Sequence, residues 1–179
     1  YGTSSERAER YAIYSLEACA VVDKYIDLID DVNEQLDLLW GQLDMLSAVL
    51  EIYEEDKMGL SATEYTQQTN RKIATLKKLA VLSKKIESKA DRDLKLYNIN
   101  EALAEHYFHK GAYKEASVYY SSCISNYTNL LSSEYANDDD IRKAGQKAYY
   151  WMGYTAYKQG DTTIANHYFN KARNILNDN

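Results

Sequence analysis

Proline is absent from the 179 residues, and glycine occurs only seven times. Without proline the main breaker of long helices is missing, and interruptions have to come from capping residues and the few glycines. There are two cysteines, Cys19 and Cys123, far apart and each in an apolar helical pattern. This excludes a disulfide framework and points to buried free thiols, as in a reducing, cytoplasmic setting. No uncharged apolar run approaches ~18 residues, so no membrane-spanning helix is expected, and the start carries no signal-peptide pattern. Positive charge is in the minority, with a net charge of −6. A nucleic-acid binder usually shows the opposite balance or a concentrated basic face. The chain starts at Tyr1 rather than Met, as an excised or processed fragment would.

What is present is tyrosine, 18 of them, and a hydrophobic pattern of helical period. Val22, Tyr25, Ile29, Val32, Leu36, Leu39, Leu43, Leu46, Leu50 and Tyr53 alternate spacings of three and four, the seam of a heptad repeat. Tyr11, Ser15 and Ala18 extend it backwards. The pattern predicts a helix over about 5–57, some 75 Å long if unbroken, with a break near Asp30-Asp31 or Gly41. Gly59 suits a left-handed C-cap. Ser61 and Glu64 form a capping box, opening a second helix over about 62–89 with Ile73, Leu76, Leu79, Ala80 and Ile86 on its apolar face. From Glu6 to Lys57 there are 14 acidic and 4 basic residues, and from Arg71 to Lys95 there are 9 basic and 3 acidic. An antiparallel hairpin would bring these charges together and set its register. The basic run could otherwise meet nucleic acid or anionic lipid, and the acidic stretch so close in sequence favours the structural role.

The second half carries an internal repeat. One copy runs from Ala102 to Cys123 and the other from Tyr150 to Ala172. In both, a small residue (Ala104, Gly153) precedes a turn glycine (Gly111, Gly160) by seven. An alanine (Ala116, Ala165) follows it by five, and aromatics lie eight and nine after it (Tyr119 and Tyr120, Tyr168 and Phe169). Small residues let paired helices approach closely, and glycine permits a positive φ between them. Gly111, Tyr113 and Ala116, together with Lys158-Gln-Gly-Asp161, resemble the tetratricopeptide repeat over about 98–179. The turn glycines are 49 residues apart where the family spaces them by 34, so a longer helix through Leu131 and a loop from Ser132 to Asp140 are expected. The expected fold is all-α: a long, coiled-coil-like N-terminal helical hairpin over 1–97, then two repeat hairpins over 98–179.

Candidate chemistry is sparse. His106 and His109 share a helix face, but no neighbouring Cys or acid completes a metal motif. Asn137 to Asp140 lacks the glycine and distal glutamate of a calcium loop and reads as a helix N-cap. No phosphate loop or nucleophile motif is present, so no cofactor, no metal and no enzymatic activity are expected. The family resemblance implies a binding face on the first helix of each hairpin. That face would comprise Glu101, Glu105, Phe108 and His109 from the first hairpin, with Lys147, Tyr150, Trp151, Tyr154, Tyr157 and Lys158 from the second. Its aromatics suit peptide recognition or, equally, packing against the N-terminal helices. Family members that grip acidic chaperone tails do so with Lys and Asn, and Glu101 and Glu105 would repel such a tail. The implied function is a non-enzymatic adaptor or scaffold that binds a peptide or helix of a partner protein. The alternatives are self-association through the Val22–Tyr53 seam, or a small acidic chaperone of the secretion type.

Overall fold

The computed structural model describes the backbone of residues 3–177 and the side chains of 3–175. The described residues form helices, turns and loops with no strand. The chain divides into two compact units, Tyr1–Leu82 and Ser83–Asn179.

The first unit begins with α1 (Ser4–Tyr25) and a 3-10 turn (Ile26–Leu28), followed by α2 (Val32–Asp56) and α3 (Ala62–Ser83). The expected long helix is thus two helices, and the break falls at Asp30-Asp31. Asp31 accepts the amide protons of Asn33 (2.8 Å) and Glu34 (3.0 Å), a cap that starts α2 afresh. Gly41 stays helical inside α2. The end of α2 also differs from expectation, because Lys57 takes the left-handed cap (φ 57°). Gly59 is left-handed as well, at φ +82°, two residues on. The capping box at Ser61 and Glu64 is formed, with Ser61 N donating to Glu64 (2.8 Å) and Glu64 N to Ser61 Oγ (3.3 Å). A second box, Thr3 with Glu6, opens α1.

The three helices form an up-down-up bundle. Tyr53 of α2 stacks on Tyr65 of α3 at 4.7 Å, so the short loop between them makes a hairpin. Cys19 of α1 lies against Gln42 of α2, whose amide reaches Asp23 at 2.6 Å. Asp23 also takes Arg71 of α3 at 2.6 Å, and Asp27 takes Lys78 at 2.6 Å. The acidic and basic segments do therefore pair, as their charges suggested. Leu36, Leu39, Leu43, Leu46 and Leu50 of α2 are buried, as are Leu76 and Leu79 of α3. The seam is buried from Leu36 to Leu50, half-buried at Val22, Ile29, Val32 and Tyr53, and exposed at Tyr25.

The second unit contains α4 (Lys89–His109), α5 (Tyr113–Leu130), α6 (Asp139–Lys158) and α7 (Thr162–Asn177). The helix expected to run to Lys89 stops at Ser83, and Ser88 caps a new one by accepting Asp91 N at 3.2 Å. The expected boundary at 97/98 therefore lies inside α4. The unit consists of two hairpins, α4/α5 and α6/α7, with α5 also packed on α6. Gly111 (φ +74°) and Gly160 (φ +85°) turn the chain within each hairpin. Ala104, Ala116 and Ala165 are buried at the crossings. A methyl added at Gly153 would lie 2.9 Å from the Phe169 ring, so this position requires the absence of a side chain. Between the hairpins the chain follows the expected loop, and Tyr135 anchors it by donating to Asp91 at 3.0 Å.

Candidate functional site

The first helices of the two hairpins lie side by side. Tyr97 of α4 donates to the carbonyl of Ala144 on α6 at 2.7 Å. One turn further, Lys147 Nζ of α6 sits 3.2 Å from Glu101 and 3.0 Å from Glu105. Burial works against the Lys147 charge, but hydrogen bonds and attraction from these two acids outweigh it and raise its pKa. Beyond this ion pair, Phe108 meets Trp151 at 5.1 Å and Tyr154 at 5.4 Å. The ten residues expected on a common face thus do lie on two adjacent helices.

They divide into three roles. Phe108 is buried, and Trp151 and Tyr154 are half-buried against it, in a cluster with Ala104, Ala116 and Tyr120. These rings hold one hairpin to the next. Lys147 is shared between Glu101 and Glu105. The exposed residues are Tyr150 (49%), Tyr157 (55%), His109 and Lys158. His109 stands edge-on to Phe108 at 6.0 Å, and Lys158 lies over the Tyr154 ring at 5.2 Å. Tyr150, Tyr154 and Tyr157 form a ladder along α6, each ring 6.3–6.4 Å from the next.

A groove of about 650 Å³ opens beside Tyr150. Lys143, Gln146, Lys147 and Tyr150 of α6 line one wall, and Phe169, Ala172 and Arg173 of α7 line the other. Only Lys147 and Tyr150 were expected at a site. The others carry a signal that helical arithmetic could have found. Positions 143, 146, 147 and 150 share one face of a helix, and 169, 172 and 173 share one face of the next. With Tyr150 and Phe169 in its walls, Lys143 paired to Asp140 and Lys147 to Glu101 and Glu105, the groove can take an apolar side chain with polar flanks.

The remaining candidates have local structural roles. His106 stands edge-on to Tyr107 at 5.3 Å. Among the described residues no three metal-ligating side chains converge. Asp138 caps α6, accepting Asp140 N at 2.8 Å. No helix among the described residues is long and apolar enough to cross a membrane. No protein-family model matches the chain, and no curated protein matches it.

Proposed function

We propose that the protein is a non-enzymatic adaptor of the tetratricopeptide type, which holds a peptide or helix of a partner protein on its second hairpin. The observation that carries this reading is the pairing of the Tyr150–Tyr157 ladder with the open groove between α6 and α7. Rigid aromatic rings exposed beside a preformed cleft supply contact area at low entropic cost, which is how interface anchors work. Three further features support membership in this class of repeat: left-handed glycines in both hairpins, small residues at the crossings, and aromatic packing between successive hairpins. Buried free thiols at Cys19 and Cys123 support a reducing, cytoplasmic setting.

Acidic chaperone tails are not the partner in this reading. Lys147, the lysine best placed to clamp a carboxylate, already serves Glu101 and Glu105. The segment bound instead presents an apolar anchor to Tyr150 and Phe169.

Selection from a random peptide library, followed by titration against variants, tests the reading. Tyr150→Ala and Phe169→Ala should each raise the Kd of selected peptides roughly tenfold or more, the loss expected of an aromatic anchor. Peptides that bind both variants as tightly as the wild type would place the binding surface elsewhere and overturn it.

A further inference from the structure

The outer surface of α1 is unusually apolar. Tyr11, Tyr14, Ala18, Val21 and Tyr25 follow one another at spacings of three and four, and Leu28, in the 3-10 turn that continues the helix, comes three residues on. That is a heptad seam, rotated away from the face that α1 buries through Ala12, Ser15, Cys19 and Ile26. Tyr14 is 67% and Leu28 76% exposed, and Tyr11, Val21 and Tyr25 are exposed too. A helix needs one apolar stripe to join a bundle, and α1 has two. A soluble surface scatters its exposed apolar residues, whereas these form a continuous ridge.

The charges beside the ridge indicate what covers it. Arg10, Glu17 and Lys24 follow one another at seven-residue steps along its outer flank. Among the described residues none of them makes an ion pair. We infer that α1 pairs with α1 of a second copy of this chain, antiparallel about a two-fold axis near Ala18 and Val21. In that register Tyr11 faces the partner's Leu28, Tyr14 faces the partner's Tyr25, and Ala18 faces the partner's Val21. The small side chains at the centre let the helices approach, and the large ones fill the ends. Glu17 then lies beside the partner's Lys24, twice over by symmetry. Sliding the pair by one heptad either way sets like charges together: Glu17 beside the partner's Glu17 and Arg10 beside the partner's Lys24, or Lys24 beside the partner's Lys24. A parallel pair would set the charged flank against the partner's Ser15 and Val22, which lie on the inner side of α1. The alternation of sign thus selects one orientation and one register. Covering the exposed parts of three tyrosines, Val21 and Leu28 on each copy removes roughly 1,000 Å² from water, about the minimum for a specific interface. The dimer is accordingly of micromolar strength and concentration-dependent.

Sedimentation equilibrium of the full chain from about 5 to about 500 µM, a range that brackets such an interface, should show a monomer–dimer equilibrium. Tyr14→Glu should raise the dimer Kd roughly tenfold or more with helicity by circular dichroism unchanged, because the site is exposed in the monomer. Glu17→Lys and Lys24→Glu should each weaken the dimer by about three- to tenfold, and the two together should restore it. A monomer throughout the range overturns the inference. So does a dimer indifferent to Tyr14→Glu, or a double charge reversal no better than either single one.

Discussion

Gly145 and Gly41 both lie inside helices, and the structure gives them opposite value. A methyl added at Gly145 would sit 2.3 Å from the Tyr127 ring, which packs against the bare backbone of α6. Around Gly41 nothing lies within 4 Å of an added methyl. Gly145→Ala should therefore cost about 1–3 kcal/mol by overpacking. Gly41→Ala should add about 0.5–1 kcal/mol through helix propensity alone. Urea unfolding of both variants checks the pair, and equal effects would contradict the close approach at Gly145. A second residue-scale consequence concerns pH. Burial, followed by the charges of Glu101 and Glu105, pushes the Cys123 thiol above its ordinary value of 9.0. Burial likewise raises the Tyr97 and Tyr120 hydroxyls above 10.0. The folded chain keeps protons that the unfolded chain gives up. This stability is complete below pH 9.0 and is lost as the pH rises above the unfolded values. Each group contributes a slope of about 1.4 kcal/mol per pH unit once its unfolded form ionises. Burial raises the Cys19 thiol as well, so Cys123→Ala should make the decline that begins near pH 9 shallower without moving its onset, and Cys19→Ala in addition should delay the first fall to near pH 10. A slope between pH 9 and 10 that both variants leave unchanged in alkaline urea titrations would show that the thiols are not the groups responsible.

The elements of the structure show where periodicity is informative and where it is silent. The seam from Leu36 to Leu50 was legible because burial on one helix face leaves a repeat that any helix must display. The break at Asp30-Asp31 was legible as a site but not as an outcome. Val32 continues the heptad spacing across it, and only the capping bonds to Asn33 and Glu34 show that the chain restarts. The stop at Ser83 and restart at Ser88 were missed because Ile86 falls in phase with the helix before it. The only local sign was Ser88 three residues ahead of Asp91. In the second hairpin the ladder residues were identified, but the groove was not, since its second wall comes from α7 and depends on how two helices cross. A buried polar cluster between α4 and α5 was invisible for the same reason. Asp93 accepts from Asn126 at 2.8 Å and from Asn129 at 3.2 Å, while Asn100 reaches Asn126 at 3.1 Å. These residues are 33 and 36 positions apart in sequence. Asp93→Ala leaves two amide donors without their acceptor and should cost about 2–4 kcal/mol, more than an ordinary surface substitution. A cost below about 0.5 kcal/mol in chemical denaturation, the range of ordinary surface changes, would mean that water replaces the carboxylate.

At the scale of the whole chain, the division between Leu82 and Ser83 has a direct consequence for excised pieces. Repeat matching places the start of the second unit at 98, where resemblance to a known pattern begins. Packing places it fifteen residues earlier, because α4 starts at Lys89 and its first two turns are part of the core. Ala90, Asp93 and Tyr97 are buried there, and Leu94 packs on the cluster of Cys123, Tyr127 and Leu130. Removing them would expose that cluster, break the Asp93 network and delete the Tyr97 bond to Ala144 that holds α4 against α6. A fragment of 83–179 should fold alone, with full helicity and one cooperative transition on heating. A fragment of 98–179 loses these contacts while keeping every residue of the recognisable repeat, and should lack a cooperative transition. Circular dichroism melts of the two fragments decide between packing and pattern as the measure of the unit. If 98–179 melts as sharply as 83–179, the first half of α4 is an appendage. If only the longer fragment does, the repeat depends on fifteen residues that no repeat motif marks.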